Sequence, residues 1–395
     1  MRYDAAWSGQ RTTPMNTPTD NAPQIDAEEI LAGILRWVSV ESPSNDGDAV
    51  NGMVDMVERD FQPLGMHIER TPGRDGFGDI LSCRTPWGGD GPGILVLSHL
   101  DTVHPHGTID GPLTIRREGD RVYGPGIYDM KGGAHLGFYA LRHLVRAGRT
   151  TPLPVTFMFV PEEEVGSPTS REAIERAARE HKYALVLEPA REGGKIVTAR
   201  RGSARYVMTV KGIPAHSGLR HQDGRNAIKE MAQQVLRIEA LTDYDRNLTL
   251  NVGLVSGGTG VNVVPAHCEV EFDIRVPTPE VAEEICATVE ALEPVDPDCE
   301  LKISGGMNRP PYEKDAGIEA LYQHARVLAA EIGFDLEDMK TGGGSDGNFT
   351  AALGIPTLDG LGVDGHGAHQ LDEHMYYSSL EPRAKLLVRL LETLE

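Results

Sequence analysis

Cysteines are scarce in this sequence, and long apolar stretches are absent. The four cysteines, Cys83, Cys268, Cys286 and Cys299, include no Cys-x-x-Cys pair, which gives no support to a thiolate zinc site or a redox motif and fits a reducing compartment. No apolar run approaches the ~20 residues that a membrane-spanning helix needs. Residues 1–24 are polar and lack the apolar core of a secretory signal, so we expect a disordered lead and a cytoplasmic protein without a membrane partner.

Basic residues are few relative to acidic ones. The chain has 38 lysines and arginines against 59 aspartates and glutamates, a formal net charge of −21. Binding to nucleic-acid phosphates needs a basic surface, so this imbalance argues against a nucleic-acid partner. The 395 residues exceed what one hydrophobic core usually serves, which predicts two or more domains.

Two common catalytic motifs are not predicted. No nucleophile elbow, a Gly-x-Ser-x-Gly segment at a strand–helix turn, is predicted, and this disfavours a serine hydrolase. The glycine-rich segment 342–347 is not a Walker loop, because no Gly-Lys-Ser/Thr follows it. Its backbone, including Gly344 and Ser345, is instead suited to cradling a substrate carboxylate.

Strands and helices alternate in the first half of the chain. Strands are predicted at Ile94–Ser98, Val155–Val160 and Ala184–Leu187, and a helix at Lys131–Ala147. This alternation predicts an α/β fold whose central sheet is mostly parallel, with helices on both faces. Further helices are predicted at residues 25–38, 46–64, 316–332 and 380–394. We assign residues 25–198 and 311–395 to one catalytic, metal-binding domain.

The pattern changes between residues 199 and 310. The predicted order there is strand, helix, strand, strand, helix, strand, which is that of a ferredoxin-like α+β unit. The six elements are predicted at residues 205–210, 225–241, 247–255, 267–276, 279–292 and 300–304. We interpret this segment as a domain inserted into the catalytic domain.

Each of the three strands predicted in the first half ends on residue types that bind metals. His99 and Asp101 follow the first strand, Glu162–Glu164 the second, and Glu188 the third. Side chains at the carboxyl ends of strands converge on one crevice of an open α/β sheet. His99 is a candidate ligand there, and Asp101 can hold its other ring nitrogen. Of the three adjacent glutamates, one can ligate while another stays free as a base.

Two further segments complete a candidate metal site. Asp129 lies within the glycine-flanked segment Gly124–Gly133, where a rigidly held carboxylate can bridge two cations. The C-terminal segment offers His366, His369 and His374, and spacing alone does not choose among them. Two imidazoles with three carboxylates suit two zinc ions that share a bridging carboxylate and a water. Cobalt or manganese could occupy the same ligands.

In this order, the motifs resemble those of the M20 metallopeptidases, a family of glutamate carboxypeptidases, aminoacylases and related deacylases. The resemblance covers nearly the whole chain after Ile25, and Gly124–Gly133, Glu163–Ser167 and Gly342–Asp346 are most similar to the glutamate carboxypeptidase branch. It implies that Glu163 is the general base and that Asp101 orients His99. It implies two zinc ions, bridged by Asp129, with the ligands His99, Asp129, Glu164, Glu188 and His369.

The resemblance also implies roles for residues of the inserted domain. His216, in Val210–Gly218, is expected to reach the active site of a partner subunit and stabilise the oxyanion. This implies a homodimer formed through the inserted domain, with Asn262 near His216. Arg275 and Arg309 match arginines that lie near the substrate, where a guanidinium suits a carboxylate.

The expected function is hydrolysis of an amide bond, in a short peptide or an N-acyl amino acid that bears a free carboxylate. Tyr128, where glutamate-specific relatives have a small residue, and Arg201 leave one alternative open: C–N hydrolysis of a non-peptide, such as deamination of an aromatic amine. A second alternative is a non-catalytic binding protein that has kept the fold. In a third, the inserted domain serves only dimerisation, and His216 then matters little.

Overall fold

The structure, a computed structural model, describes residues 24–395. The disordered lead predicted for residues 1–24 therefore lies outside the described residues, apart from Gln24. Within the described range, no helix is both long and apolar enough to cross a lipid bilayer.

Strands and helices alternate through most of the described chain. The strands are β1 (His67–Thr71), β2 (Ile80–Arg84), β3 (Gly93–His99), β4 (Arg116–Glu118), β5 (Arg121–Tyr123), β6 (Val155–Val160), β7 (His181–Val186), β8 (Ile196–Arg200), β9 (Gly202–Lys211), β10 (Thr249–Gly257), β11 (His267–Val276), β12 (Glu300–Arg309), β13 (Asp338–Thr341), β14 (Thr357–Leu358), β15 (Gly365–His366) and β16 (His374–Tyr376). The helices are α1 (Ala27–Val38), α2 (Gly47–Phe61), α3 (Lys131–Arg146), α4 (Arg171–Arg179), α5 (Ala227–Glu239), α6 (Pro279–Glu290), α7 (Ala316–Ile332), α8 (Gly347–Ala352) and α9 (Leu380–Thr393).

A six-stranded sheet lies at the centre of the fold, in the order β1-β2-β6-β3-β7-β14. β3 runs parallel to both β6 and β7, and β14 runs parallel to β7. β1 and β2 complete the sheet in antiparallel pairing. The α/β fold with a mainly parallel central sheet is thus confirmed, and the carboxyl ends of β6, β3 and β7 lie side by side.

Helices on the two faces of this sheet enclose separate apolar cores. On one face, α1, α2, α3 and α9 pack around residues that include Trp37 and Phe61. On the other face, Ile174 of α4 and Phe349 of α8 pack with Leu95. Successive residues of β3 alternate between the two cores, since neighbouring side chains of a strand point to opposite faces. All residues of β3 and β6 are consequently buried.

A second sheet is built from residues 202–309. Its antiparallel strands lie in the order β10-β11-β9-β12, and the chain runs through it as β9–α5–β10–β11–α6–β12. Its apolar core includes Tyr206, Met231, Phe272 and Ile285, and no residue of this core belongs to the two cores of the central sheet. We call residues 202–309 the inserted unit. The domain boundaries at residues 199 and 310, and the role in dimerisation, stay predictions.

β12 is longer than its prediction, which ended at Ser304 before two glycines. In the structure, its pairing with β9 continues to Arg309, opposite Ser203. Gly305 has a φ of 139°, and a Cβ atom there would lie 2.1 Å from the carbonyl oxygen of Arg205. Glycine therefore lets the two strands stay in close contact. The extension brings Arg309 into hydrogen-bond contact with the turn after β6.

Two smaller sheets connect distant segments of the chain. β13 pairs in parallel with β8, and the other sheet has the order β15-β16-β5-β4. Because β16 pairs with β5, it joins the C-terminal segment that contains His369 to the segment that leads to Asp129.

The surroundings of two helical glycines predict opposite effects on stability when each is replaced by alanine. A Cβ atom at Gly133 would lie 2.0 Å from the carbonyl oxygen of Leu187, whereas one at Gly52 in α2 would meet no atom within 4 Å. We expect Gly133→Ala to lower the free energy of unfolding by ~1–3 kcal/mol through overpacking. Gly52→Ala should raise it by ~0.5–1 kcal/mol, because alanine favours helix. Urea unfolding followed by circular dichroism measures both, and equal effects would contradict this account.

Candidate metal centre and active site

Metal-ligand residue types converge at the carboxyl edge of the central sheet. His99 is the last residue of β3, and Glu188 lies two residues after β7. Nε2 of His99 is 3.2 Å from Oδ1 of Asp129 and 3.8 Å from Oε1 of Glu188. The parallel pairing of β3 with β6 and β7 causes this convergence, because it places the three strand ends at one edge.

Asp129 lies between two imidazoles. It precedes α3, and its peptide bond to Met130 is cis. Oδ1 faces His99, while Oδ2 is 3.5 Å from Nε2 of His369, which is itself 3.0 Å from Oε2 of Glu164. His369 has a φ of 65°, a conformation that is uncommon outside glycine and that clusters at functional sites. The five predicted ligands thus lie in one cluster, with Asp129 at its centre.

Asp101 connects the ends of β3 and β6. Its Oδ1 is 3.3 Å from Nδ1 of His99, which also lies 3.0 Å from the Asp101 carbonyl oxygen. The same carboxylate accepts hydrogen bonds from the backbone N–H groups of Glu163 and Glu164, at 3.1 and 3.2 Å. The hydroxyl of Ser44 donates to it at 2.6 Å. Asp101 therefore orients both the imidazole and the turn that carries the two glutamates.

Buried charges dominate the electrostatics of the cluster. Burial and the charge of Asp129 raise the pKa of Glu164 to about 8 and that of Glu188 well above its usual range. Burial also raises the pKa of Glu163. Hydrogen bonds to Asp129 and Glu164 raise the pKa of His369 to about 10. For Asp129, hydrogen bonds from His369 and His99 outweigh burial and hold its pKa well below the usual range.

The donor set fits divalent metal ions. Oε1 of Glu164 is buried and has no hydrogen-bond partner among residues 24–395, and such an oxygen is normally paired. His99, Asp129 and Glu164 each offer a ligand atom within 4.8 Å of the others, and so do His99, Glu163 and Glu188. Imidazole and carboxylate donors are those that zinc, cobalt and manganese accept. A cation would also offset the repulsion between the carboxylates.

The three C-terminal histidines differ in their distance from the metal-ligand cluster. His369 alone of the three contacts the cluster. His366 is exposed on β15. His374 is buried on β16, where its Nδ1 lies 2.7 Å from the carbonyl oxygen of Asp372 and its ring packs 5.1 Å from that of Tyr123.

The glycine-rich segment 342–347 has a different environment from the predicted carboxylate cradle. The N–H of Ser345 donates to Asn348, and its fully buried hydroxyl donates to Asp359. The carbonyl oxygen of Gly344 accepts a hydrogen bond from Arg200 at 3.1 Å. The backbone and hydroxyl groups of Ser345 are therefore engaged within the protein.

The prediction that the chain has no Gly-x-Ser-x-Gly segment between a strand and a helix is wrong. Gly343–Gly347 has this sequence and leads from β13 into the first residue of α8. The strand before it is not evident in the sequence, because β13 is only four residues long and lies outside the central sheet. Ser345 is nevertheless no nucleophile, because its hydroxyl is fully buried and is bonded to Asp359 rather than to an imidazole.

Three predicted residues of the inserted unit make no contact with the cluster. His216 is exposed, and its Nδ1 accepts a hydrogen bond from the N–H of Gly218. The carbonyl oxygen of Asn262 accepts from Ser217, so Asn262 lies beside the His216 loop. Arg275 forms an ion pair with Asp273 at 2.7 Å. Within residues 24–395, no hydrogen bond or ion pair joins these three residues to the metal-ligand residues.

Tyr128 and Arg201, the two residues that left deamination of an aromatic amine open, form hydrogen bonds with groups outside the metal-ligand cluster. Tyr128 is buried, and its hydroxyl donates to the carbonyl oxygen of Ala190 at 2.5 Å. Arg201 donates to the side chain of Asn247 at 2.8 Å. Neither contact involves the carboxylate cluster.

Glu373 is a site residue that the sequence analysis missed. Its buried carboxylate accepts hydrogen bonds from the N–H groups of Gly126, Tyr128 and Asp129 at 2.9–3.0 Å, and it lies 2.6 Å from Nε2 of His104. It thereby holds the Asp129 loop from a segment about 245 residues away. Nothing in the local pattern could have shown this, because an acidic residue in a polar loop is ordinary.

The fold and the site define a metal-dependent hydrolase. A sequence profile of peptidase family M20/M25/M40 matches residues 95–393, and the chain belongs to this family. The predicted resemblance to M20 metallopeptidases is confirmed. The family also establishes the general activity, hydrolysis of an amide bond, and shows that the chain is an enzyme.

Individual relatives are similar along almost their whole length. Carboxypeptidase G2 of Pseudomonas sp. (strain RS-16) is 28% identical over 368 residues, which cover 92% of this chain and 88% of the relative. Succinyl-diaminopimelate desuccinylase of Hydrogenovibrio crunogenus is 28% identical over 370 residues, covering 87% and 94%. The crystal structure of aminopeptidase PepT from Bacillus cereus ATCC 10987 has a TM-score of 0.74 at 26% identity and covers 93% of this chain and 98% of its own.

The raised pKa values predict that the metal-free protein loses stability as the pH rises. With a pKa of about 8 for Glu164 and about 10 for His369, these two groups together bind more protons in the folded state than in the unfolded chain between about pH 5 and 8. The stability that these two groups contribute therefore falls as the pH rises through this range. A bound divalent metal should reduce the loss, because the carboxylates then ionise without repelling one another. Thermal unfolding with EDTA or with ZnCl2 at several pH values measures both effects.

Two variants test whether the loss of stability with rising pH comes from Glu164. Glu164→Gln removes one titrating group, so its EDTA-treated form should lose less stability across the same pH range. Glu172→Gln, at an exposed position of α4, should behave as the wild type does. An EDTA-treated wild type that becomes more stable between pH 5 and 8 would contradict the account.

Proposed function

We propose that this enzyme hydrolyses the amide bond of a small carboxylate-bearing substrate, as a carboxypeptidase or aminoacylase does, with two zinc ions. Cobalt or manganese is the alternative metal. The observation that carries the proposal is the position of Asp129, whose two oxygens face different imidazoles. The imidazole of His99 lies near Glu188, and that of His369 lies near Glu164. We assign one metal to His99, Asp129 and Glu188. We assign the other to His369, Asp129 and Glu164.

Glu163 is the residue that moves the proton. Bound metal ions would polarise the scissile carbonyl and lower the pKa of a water molecule. Glu163 accepts the proton of that water and delivers it to the leaving amine. A carboxylate oxygen of Glu163 lies within 4.8 Å of ligand atoms of His99 and Glu188, which supports this role. Oε1 is held by Arg309 at 2.7 Å, so we assign the proton to Oε2.

The names of the relatives support the substrate class. One is a carboxypeptidase and another a desuccinylase. A peptide cleaved at its carboxyl end and an N-succinyl compound each place a carboxylate near an amide bond. We therefore infer a substrate with both groups for this chain.

Exposed apolar residues on the inserted unit support a homodimer. β10 is an edge strand of the second sheet, and Leu254 and Val255 on it are 61% and 70% exposed. Leu236 on the adjacent α5 is 71% exposed. An edge strand with apolar side chains is prone to pair with another chain. A dimer through this surface would bring the exposed His216 of one subunit to the active site of the other, where it stabilises the oxyanion.

The assignment of Glu163 predicts a variant that keeps the metal and loses turnover. The assay screens the zinc-loaded enzyme against N-acyl amino acids, dipeptides and aryl amines, and measures released amino acid and released ammonia. We expect amino-acid release by the wild type, and a kcat for Glu163→Gln that is lower by ~10²–10⁴-fold. Glutamine is used because it can still accept the hydrogen bond from Arg309. Metal content should stay unchanged by mass spectrometry.

The exposed Glu172→Gln is the control for Glu163→Gln and should retain wild-type kcat. A Glu163→Gln enzyme of wild-type activity would refute the assigned base. Ammonia release from an aryl amine, without amino-acid release from any N-acyl substrate or dipeptide, would refute the proposed reaction.

The proposed role of His216 predicts complementation between two inactive variants. His216→Ala alone should lower kcat by ~10²–10³-fold, as the loss of an oxyanion donor does. In a mixture of His216→Ala and Glu163→Gln subunits, the heterodimer contains one site with an intact Glu163 and an intact His216. If subunits exchange freely, the mixture should regain about a quarter of wild-type activity. Equal mixing with no gain, or a His216→Ala enzyme of near-wild-type kcat, would contradict a role across the dimer.

A further inference from the structure

Tyr128 is enclosed by the protein directly beside the central ligand residue of the metal cluster. It precedes Asp129 in the chain and is only 5% exposed. Its side chain belongs to the apolar core that includes Trp37. A Cβ atom at Gly365 would lie 2.8 Å from Cδ2 of the Tyr128 ring, so the glycine of β15 leaves room for the ring. Tyr128 is therefore placed to act on the protein around it.

The hydroxyl of Tyr128 reaches the segment that carries a second ligand residue. It donates to the carbonyl oxygen of Ala190 at 2.5 Å. Ala190 is fully buried and lies two residues after Glu188. Within residues 24–395, this oxygen accepts no other hydrogen bond. Because a buried carbonyl group needs a partner, the position of Ala190 depends on the tyrosine hydroxyl.

The short segment between Glu188 and Ala190 transmits this dependence. Only Pro189 separates the two residues, and its ring fixes the φ angle there. A shift of Ala190 is therefore passed on to Glu188. The N–H of Gly362 donates to the carbonyl oxygen of Glu188 at 2.9 Å, and the N–H of Ala190 donates to that of Val363 at 3.0 Å. These two bonds leave the carbonyl oxygen of Ala190 to the hydroxyl.

The tyrosine end of this link has an anchor of its own. The N–H groups of Tyr128 and Asp129 both donate to the carboxylate of Glu373, at 2.9 and 3.0 Å. The loop that carries Asp129 is thus held without the hydroxyl, whereas Ala190 is not. Loss of the hydroxyl should free the segment that carries Glu188 and leave the Asp129 loop in place.

We propose that Tyr128 is a positioning residue for the metal site, because its hydroxyl fixes the segment that carries Glu188 against the loop that carries Asp129. Both residues are ligands of the metal that we assign to His99, so the inference rests on the proposed two-metal site. Groups behind the ligands that fix their orientation change metal affinity or activity by roughly 10–100-fold when they are replaced.

The test measures zinc affinity in Tyr128→Phe, which removes the hydroxyl and keeps the ring. The metal-free protein is titrated with ZnCl2 in competition with a chromophoric chelator, and native mass spectrometry counts the bound ions. We expect two ions in the wild type. In Tyr128→Phe, one ion should bind ~10–100-fold more weakly. The other should change by less than about threefold, because Glu164 and His369, which hold it together with Asp129, belong to other segments.

Tyr322→Phe is the matched control. The hydroxyl of Tyr322 also donates to a buried backbone carbonyl oxygen, that of Leu336, at 3.0 Å. Tyr322 lies on α7, which carries none of the ligand residues. Both variants should lower the thermal unfolding temperature, but only Tyr128→Phe should lower zinc affinity. Tyr128→Met, which also lacks the hydroxyl, serves in place of Tyr128→Phe if that variant does not fold.

Two further backgrounds locate the effect at one ligand. In Glu188→Gln, adding Tyr128→Phe should lower the affinity for the remaining ion by less than about threefold, because the ligand that the hydroxyl positions is already lost. In Glu164→Gln, which weakens the other ion, adding Tyr128→Phe should still cause the ~10–100-fold loss.

Three results would overturn the inference. The first is unchanged affinity for both ions in Tyr128→Phe, and the second is an equal loss of affinity in Tyr322→Phe. The third is equal weakening of both ions in Tyr128→Phe, which would show that the hydroxyl acts on the shared ligand Asp129. A wild-type protein that binds fewer than two ions would instead refute the proposed two-metal site, so the two failures are distinguishable.

Discussion

Four largely buried carboxylates meet at one edge of the central sheet, and the rest of the site depends on how their mutual repulsion is balanced. They belong to Asp129, Glu163, Glu164 and Glu188. Burial and the charge of Asp129 raise the pKa values of Glu164 and Glu188, so ionising all four carboxylates together is unfavourable without a cation. Two imidazoles and one guanidinium offset part of the negative charge. The cluster is thus costly for the fold alone, and bound divalent metals would offset that cost.

Two further carboxylates, which lie behind the cluster, fix its geometry. Asp101 accepts the backbone N–H groups of Glu163 and Glu164 and contacts the imidazole of His99. Glu373 accepts three backbone N–H groups in the loop that carries Asp129. Each is buried and almost fully hydrogen-bonded, which makes such a network rigid. Side chains that touch no reactant therefore decide where the reactive ones stand.

The central sheet and the residue types of the metal site could be predicted, because both depend on local patterns. Apolar strands that end on His99, Glu164 and Glu188 follow from a periodicity that the sequence displays directly. The extent of β12 could not be predicted, because two glycines resemble a break until the pairing with β9 shows that they permit close contact. The Gly-x-Ser-x-Gly motif around Ser345 could not be predicted for a related reason: β13, the strand that precedes it, is short and pairs outside the central sheet.

The sequence by itself determined the α/β alternation, the ligand types at the strand ends and the family to which the chain belongs. Only the tertiary structure decided which partners Arg309, Ser345 and Tyr128 have. The physical reason is the range over which each feature is encoded. Strands and turns arise from neighbouring residues, whereas a hydrogen bond between Arg309 and Glu163 joins positions 146 residues apart, and its existence depends on how two sheets lie against each other.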